Sequence, residues 1–131
     1  MSNVLNNPNE GEKRILIVED SLVLSQALEF GLKKAGYEVS LAFDGNEALI
    51  EIVKNKPNLI LLDILMPNKN GFEVLKESIK IRKEQNIKTI MLTNFSEDEN
   101  AEKCYALGAD DYMIKANFTI ADLIKKIKLF I

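Results

Sequence analysis

Several short apolar runs in the sequence end in side chains that can take part in metal or phosphoryl chemistry. In chain order these side chains are Glu19, Asp20, Asp63, Thr93 and Lys115. Clustered carboxylates repel one another, so a group of three needs a bound cation or a protonated member. An aspartate can also act as the nucleophile toward a phosphoryl group and form an acyl phosphate. Together, these residue types predict metal-assisted phosphoryl transfer.

The composition excludes other kinds of site. The sequence contains no histidine and a single cysteine, Cys104. A Ser/His/Asp triad, a His-ligated zinc or iron site and a cage of thiolates are therefore excluded. Any metal must be a hard cation held by oxygen, which means Mg²⁺, Mn²⁺ or Ca²⁺. The formal charge of −3 gives no basic footprint for nucleic acid.

Phosphoryl transfer needs neutralisation of the negative charge on the equatorial oxygens and in-line placement more than it needs a base. A cation held by Glu19, Asp20 and Asp63 would meet the first need, together with the Lys115 ammonium. Thr93 can donate a hydrogen bond to a phosphoryl oxygen once the adduct exists.

Each of these residues also has a plainer structural interpretation. Asp20 or Ser21 can be the N-cap of the helix that follows. Thr93 can be an ordinary strand residue, and Lys115 can be a solvated surface lysine. Asp63 is a poor cap, because a proline and an Asn/Gly-rich turn delay the next helix. We favour the chemical interpretation, since several strands would have to end independently in the residue type that this chemistry requires.

The elements that must position these residues follow from the hydropathy pattern. Short apolar runs without polar alternation predict strands that are buried on both faces of a parallel sheet. These runs are residues 15–18, 39–42, 59–62, 89–92 and 112–114. Apolar residues at offsets of three and four predict helices between them. The predicted core stripes are Leu24, Ala27, Leu28, Leu32 and Ala35, then Ala48, Leu49, Ile52 and Val53, then Ile120, Leu123, Ile124 and Ile127. Gly36 and Gly108 are predicted to end helices.

Right-handed crossovers turn five strand–helix units into a doubly wound α/β sheet with helices on both faces. Sites in such folds lie at the carboxyl ends of the strands, where the chemical residues stand. We predict one domain over residues 13–131 and a polar leader over residues 1–12. The leader lacks the apolar core of a signal peptide, and no stretch has the roughly 20 apolar residues that span a bilayer. With one cysteine, a reducing, cytoplasmic location is expected.

The sequence resembles the receiver domain family of two-component response regulators over residues 13–130. Four segments carry the resemblance: Ile-Val-Glu-Asp-Ser at 17–21, Leu-Leu-Asp-Ile-Leu-Met-Pro at 61–67 with Gly71 beyond it, Met-Leu-Thr at 91–93, and Gly-Ala-Asp-Asp-Tyr-Met-Ile-Lys at 108–115. The resemblance implies a flavodoxin-like topology of five parallel strands in the order 2-1-3-4-5 with five helices. It also implies a signalling receiver that catalyses its own phosphorylation and slow dephosphorylation, not a conventional enzyme.

The resemblance further implies a role for each site residue. Asp63 would be the phosphoacceptor, and Glu19 and Asp20 would hold Mg²⁺ beside it. The backbone carbonyl of Leu65 would be a further metal ligand, and Lys115 would contact the phosphoryl group.

A switch is also implied. Thr93 would move toward the phosphate, and Tyr112, at the family's aromatic switch position, would turn inward to fill the space. The surface formed by the fourth helix, the fifth strand and the fifth helix would then change shape, as a shift between two packings.

The implied partners are a histidine kinase or a histidine phosphotransfer protein, which must act in trans because this chain has no histidine, and a downstream protein target. Neither nucleic acid nor a membrane is implied, and the protein is expected to be a monomer or a weak, phosphorylation-dependent dimer.

Three local features complete the expectations. Ala116 stands where the family often has a proline after the lysine, and we predict a trans bond between Lys115 and Ala116, because a cis bond costs about 2.5–4 kcal/mol without proline. Leu65, Asn94 and Phe95 are predicted to tune the site, and the apolar bulk of Leu65 and Phe95 predicts slow self-hydrolysis of the phosphoprotein. Off the core stripe of the first helix lie apolar residues that either dock a helical kinase domain or pack on a neighbouring loop, namely Leu22, Val23 and Phe30.

Three other functions would make different demands on these positions. A flavin-binding protein of similar topology would need a Ser/Thr/Gly phosphate loop after the first strand, where this chain has Glu19 and Asp20. A phosphatase with an aspartyl nucleophile would have a second acid two residues after Asp63, where this chain has Leu65. A module that only binds partners would not need all five site residues.

Overall fold

The computed structural model of the chain describes residues 12–94 and 98–131. Strands and helices alternate along these residues, as predicted. In chain order they are β1 (Arg14–Val18), α1 (Leu22–Lys34), β2 (Glu38–Ala42), α2 (Gly45–Asn55), β3 (Leu59–Leu62), α3 (Gly71–Glu84), β4 (Lys88–Thr93), α4 (Asp98–Ala106), β5 (Asp111–Ile114), a 3₁₀ turn (Lys115–Asn117) and α5 (Ile120–Phe130). Within these residues, no helix has both the length and the apolar character needed to cross a membrane.

The strands form one parallel sheet in the order β2-β1-β3-β4-β5. The predicted fold class and strand order are therefore confirmed, and every predicted strand lies inside an observed one. Because all strands run the same way, their carboxyl ends share one edge of the sheet.

Both faces of the sheet are buried, which explains why the strands lack polar alternation. Successive side chains point to opposite faces. Leu16, Leu62 and Met91 belong to the core cluster shared with α2, α3 and α4. Ile17 and Leu61, one residue away along their strands, belong to the cluster shared with α1 and α5. The helices therefore cover the sheet from both sides.

The helix stripes were predicted correctly for the most part, with three errors. Ala27, Ala35 and Val53 were expected in the core and are exposed. In α1, Ser25 is buried although the predicted stripe did not include it. Its hydroxyl donates a hydrogen bond to the carbonyl oxygen of Glu19 at 3.1 Å, so the buried hydroxyl has a hydrogen-bond partner.

Gly36 and Gly108 follow α1 and α4, as predicted. Their φ angles are 100° and 93°, a region of backbone conformation that residues with a Cβ rarely adopt. Both glycines end their helices and redirect the chain toward the next strand.

Candidate functional site

The ends of β1 and β3 carry the acidic residues to the carboxyl edge of the sheet. The Glu19 N–H donates to the Ala42 carbonyl oxygen at 3.0 Å, and the Asp63 N–H donates to the Val18 carbonyl oxygen at 3.0 Å. These bonds continue the strand ladders one residue beyond the strands. The backbones of both acids are thus fixed by the sheet itself, which is a more rigid support than a loop.

The three carboxylates meet as predicted. One oxygen each from Glu19, Asp20 and Asp63 lies within 4.8 Å of the other two. Glu19 is 3% exposed and Asp63 is 6% exposed, whereas Asp20 faces solvent. Like charges at this spacing, two of them largely removed from water, favour a cation between them.

Lys115 balances part of this charge. Its Nζ lies 2.5 Å from Glu19 Oε1 and 3.0 Å from Asp63 Oδ2. Burial lowers the pKa of Lys115, but the hydrogen bonds to both carboxylates outweigh burial and raise that pKa above its usual value. Burial also raises the pKa of Glu19, and the negative charge of Asp63 acts in the same direction against the hydrogen bonds from Lys115 and the Ser21 N–H. One ammonium therefore does not fully compensate the acidic cluster.

Backbone N–H groups hold the remaining oxygens of the two buried acids. Glu19 Oε2 accepts from the Ser21 N–H at 3.0 Å, and Asp63 Oδ1 accepts from the Ile64 N–H at 2.8 Å. Both side chains are therefore oriented before any ligand arrives.

The choice between Asp20 and Ser21 as the cap of α1 is now settled. Ser21 is the N-cap, and its hydroxyl oxygen accepts from the Leu24 N–H at 3.3 Å. Capping does not use the Asp20 carboxylate, which makes no hydrogen bond within the described residues. Asp20 therefore presents its oxygens at the mouth of the acidic cluster.

Thr93 and Tyr112 lie on adjacent strands at the same edge. Thr93 is 1% exposed at the end of β4 and pairs with Ile114, while Tyr112 on β5 pairs with Met91. Because Met91 and Thr93 are two residues apart, Thr93 and Tyr112 lie on the same face of the sheet. Tyr112 is partly buried against the core cluster that includes α3 and α4. Both residues therefore lie on the face of the sheet that packs against α3 and α4.

Gly71 was part of the resemblance to the receiver family, and the structure gives a physical reason for a glycine there. A Cβ at Gly71 would lie 2.4 Å from the carbonyl oxygen of Asp63. The Gly71 N–H also donates to the Ile64 carbonyl oxygen at 2.7 Å. The start of α3 therefore packs directly on the backbone of the central aspartate, and any side chain would separate them.

Sequence reasoning missed the support that α2 gives to the loop after Asp63. The Asn68 side-chain amide donates to Asp44 Oδ2 at 2.7 Å, while Asp44 Oδ1 caps α2 by accepting from the Glu47 N–H. A Cβ at Gly45 would lie 2.3 Å from the Lys69 carbonyl oxygen. The helix-cap pattern at Asp44 was readable, but its second contact, to a residue 24 positions away, was not.

The remaining predicted positions have mixed outcomes. Leu65 is exposed beside the site, as is Asn94, whereas Phe95 lies outside the described residues. The described residues contain no cis peptide bond, so the predicted trans bond between Lys115 and Ala116 is confirmed. The apolar residues that lie off the core stripe of α1 are exposed, namely Leu22, Val23 and Phe30.

Comparison with known proteins agrees with this geometry. The family model for the response regulator receiver domain matches residues 15–128. A CheY-like receiver domain protein from Methanospirillum hungatei JF-1 is 36% identical, with a TM-score of 0.85, over 91% of this chain and 93% of that one. The chemotaxis protein CheY4 of Vibrio cholerae is 30% identical, with a TM-score of 0.85, over 92% of this chain and 100% of that one.

A third similar structure is a DNA-binding response regulator of the LuxR family from Staphylococcus aureus. It is 33% identical, with a TM-score of 0.82, over 90% of this chain and 98% of that chain. The similarity therefore extends over nearly all of both chains in each case. The chain belongs to the response regulator receiver domain family of two-component signalling.

Proposed function

We propose that this receiver domain takes a phosphoryl group onto Asp63. The observation that carries the proposal is the meeting of three carboxylates and one ammonium from separate strand ends, with oxygens of Glu19, Asp20 and Asp63 within 4.8 Å of one another. Asp63 directly follows β3, the central strand of the sheet, and contacts Lys115.

The donor set fits Mg²⁺. Carboxylate and carbonyl oxygens are the ligands that this ion takes, and the cluster retains negative charge after pairing with Lys115. We propose that Glu19, Asp20 and Asp63 hold the ion, with the backbone carbonyl of Leu65 as a further ligand. When bound, the ion would neutralise charge on the phosphoryl oxygens.

The proposed transfer uses the chain's own groups as follows. A carboxylate oxygen of Asp63 attacks the phosphorus of a phosphohistidine on the partner kinase or phosphotransfer protein. The P–O bond forms as the P–N bond breaks, and the imidazole leaves with the electron pair. Lys115, already 3.0 Å from Asp63 Oδ2, donates to a phosphoryl oxygen. Thr93 donates its hydroxyl hydrogen to another.

The signal would pass from this site to a downstream protein target through Thr93 and Tyr112. Both lie on the face of the sheet that packs on α3 and α4, so a shift of Thr93 toward the phosphate leaves space on that face. Tyr112 filling that space would change the surface formed by α4, β5 and α5. We propose that phosphorylation and signalling take place in the cytoplasm.

The decisive experiment is incubation with acetyl phosphate and Mg²⁺, followed by intact-mass measurement. We expect the wild type to gain the mass of one phosphoryl group and Asp63→Asn to gain none. Glu84→Gln, which removes an exposed acid at the end of α3, is the matched control and should be phosphorylated normally. An adduct that persists in Asp63→Asn would move the phosphoacceptor elsewhere, and no adduct in the wild type would favour a module that only binds partners.

We also propose that the phosphoprotein hydrolyses slowly. Leu65 is 63% exposed beside Asp63 and offers no polar group to orient a water molecule. The predicted contribution of Phe95 concerns a residue outside the described part of the chain. If Leu65→Asn combined with Phe95→Glu leaves the phosphoryl half-life unchanged, neither residue sets the rate.

Finally, we propose that a helical kinase domain docks on α1. Leu22, Val23 and Phe30 expose apolar surface on this helix, and Leu22 lies two residues from Asp20. Binding of the cognate kinase domain should change the chemical shifts of the α1 amides, as measured by NMR. Unchanged α1 shifts in the complex would place docking elsewhere.

A further inference from the structure

A cavity of about 370 Å³ lies at the opposite end of the sheet from the acidic cluster. It is bounded by the last turn of α3, the connection from α3 to β4, the last turn of α4 and the connection from α4 to β5. The charged side chains in its wall are Arg82, Lys83, Lys88 and Asp110. Its volume is within the range of small-molecule sites in proteins.

The innermost of these charges is Arg82, which is 5% exposed. Its Nε donates to Ser78 Oγ at 2.9 Å, and its Nη1 donates to the Gly108 carbonyl oxygen at 3.1 Å. Its Nη2 donates to the carbonyl oxygens of Leu75 and Leu107, both at 2.8 Å. All these acceptors are uncharged, and one N–H of Nη1 has no acceptor within the described residues. The guanidinium is therefore well held, and burial lowers the pKa of Arg82 more than the attraction of the nearby Asp110 carboxylate raises it.

The rest of the wall adds positive charge. Lys83 and Lys88 form no ion pair within the part of the chain that the structure describes. The carboxylate of Asp110 is the only acidic group that the wall contributes, and its Oδ2 already accepts from the Thr89 N–H at 2.8 Å. Three cations thus face one carboxylate, in a chain whose net charge is −3.

We propose that this cavity binds a small anion that carries phosphate or carboxylate groups. A buried guanidinium that one carboxylate compensates only in part is costly, and an anion would supply further negative charge. The free N–H of Arg82 Nη1 can donate to an anionic oxygen, and charge-assisted hydrogen bonds of this kind are among the strong ones. Lys83 and Lys88 would hold the remaining charge, while Ile79 and Tyr105 offer apolar wall to the body of the ligand.

Arg82 also has a structural role, because it joins α3 to the carbonyl groups that end α4. Substituting Arg82 would therefore confuse loss of folding with loss of binding. Lys83 and Lys88 serve the test better, since their side chains form no hydrogen bond or ion pair within the described residues. Lys80 provides the matched control, as an exposed lysine on the same helix that does not line the cavity.

The test is an NMR titration of the ¹⁵N-labelled full chain without divalent cations. Inorganic pyrophosphate and citrate are the two probes, each at constant ionic strength so that general screening is held fixed. We expect at least one probe to give saturable shifts at the amides of Asn86, Lys88, Gly108 and Asp110. The probe with the lower Kd identifies phosphate or carboxylate as the preferred group.

We expect the double variant Lys83→Gln/Lys88→Gln to weaken this binding at least tenfold, while Lys80→Gln changes the Kd less than twofold. Two results would overturn the proposal. One is a linear, non-saturating response to both probes in the wild type. The other is an unchanged Kd in the double variant, with a circular dichroism spectrum that shows it to be folded.

Discussion

At the carboxyl ends of the strands, a half-buried ammonium is held by charged partners, whereas at the amino ends a buried guanidinium donates its hydrogen bonds to neutral ones. Lys115 lies between Glu19 and Asp63, and a third acid stands at the mouth of the cluster. Arg82 donates to backbone carbonyls and one hydroxyl. The first end has an excess of negative charge and the second an excess of positive charge.

The difference shows that the partners of a buried charge decide whether that charge can respond to a ligand. A charge paired with other charges responds when an ion or a phosphoryl group enters, because each arrival changes the electrostatic balance among the side chains. A charge paired with backbone carbonyls cannot be moved without moving helices, so it fixes the framework. Substitutions at the two ends should therefore differ both in cost and in response to Mg²⁺.

The largest effect is expected from Arg82→Met. This change removes the guanidinium donor from three carbonyl oxygens and one hydroxyl, which we expect to lower the free energy of unfolding by about 3–4 kcal/mol. Urea unfolding measures this cost, with Lys83→Met, an exposed neighbour on α3, as the control. Mg²⁺ should stabilise the variant by the same amount as the wild type. A cost below about 1 kcal/mol would show that water from the adjoining cavity replaces the guanidinium.

The next effect concerns two glycines, one near each end of the sheet. Gly71→Ala should cost about 2–3 kcal/mol and reduce phosphorylation, since its Cβ would press on the Asp63 carbonyl oxygen. Gly36→Ala has open space but a φ of 100°, so about 1 kcal/mol is expected from backbone strain, with phosphorylation unaffected. Equal costs and equal phosphorylation yields would mean that α3 can retreat from Asp63 freely.

Lys115→Ala should cost about 1–2 kcal/mol without divalent ions, because two largely buried carboxylates lose their counter-charge. Millimolar Mg²⁺ should recover part of this loss by supplying positive charge at the same place. The matched control is Lys126→Ala, which breaks the more exposed ion pair with Asp111 at 2.8 Å and should cost under about 0.5 kcal/mol. A Lys115→Ala deficit that Mg²⁺ leaves unchanged would contradict a shared cation site.

The smallest effect on stability is expected from Asp20→Asn. Its carboxylate is exposed and makes no hydrogen bond within the described residues, so the free energy of unfolding without metal should change by less than about 0.5 kcal/mol. The Mg²⁺ affinity, measured from the rise in unfolding free energy with ion concentration, should fall at least tenfold. Glu84→Gln should leave both quantities unchanged. An unaltered Mg²⁺ affinity in Asp20→Asn would remove this residue from the proposed ligand set.

The acidic end was predictable from sequence because its residues follow buried strands, and parallel strands must end together. Glu19, Asp63 and Lys115 needed only the strand assignments to be placed at one edge, and the structure brings them into contact. The cap of α1 was narrowed to two neighbouring residues, and only side-chain geometry selected Ser21 over Asp20.

The basic end was not predictable in the same way. Arg82 stands on a helix beside exposed charged residues, and its burial depends on carbonyl groups 25 and 26 residues further along the chain. The burial of Ser25 was missed for a similar reason. Its hydroxyl can be buried because the carbonyl oxygen of Glu19 accepts its hydrogen, a contact that hydropathy does not report.

The contact between α2 and the loop after Asp63 limits how this domain can be recombined with its relatives. Asp44 binds Asn68, and Gly45 leaves room for the Lys69 backbone, although the two segments lie far apart in sequence. A chimera that imports residues 64–70 without the matching start of α2 would pack a foreign loop against the first residues of α2 and lose these contacts. Designers who exchange site loops between receivers should therefore treat these two segments as a single transferable unit.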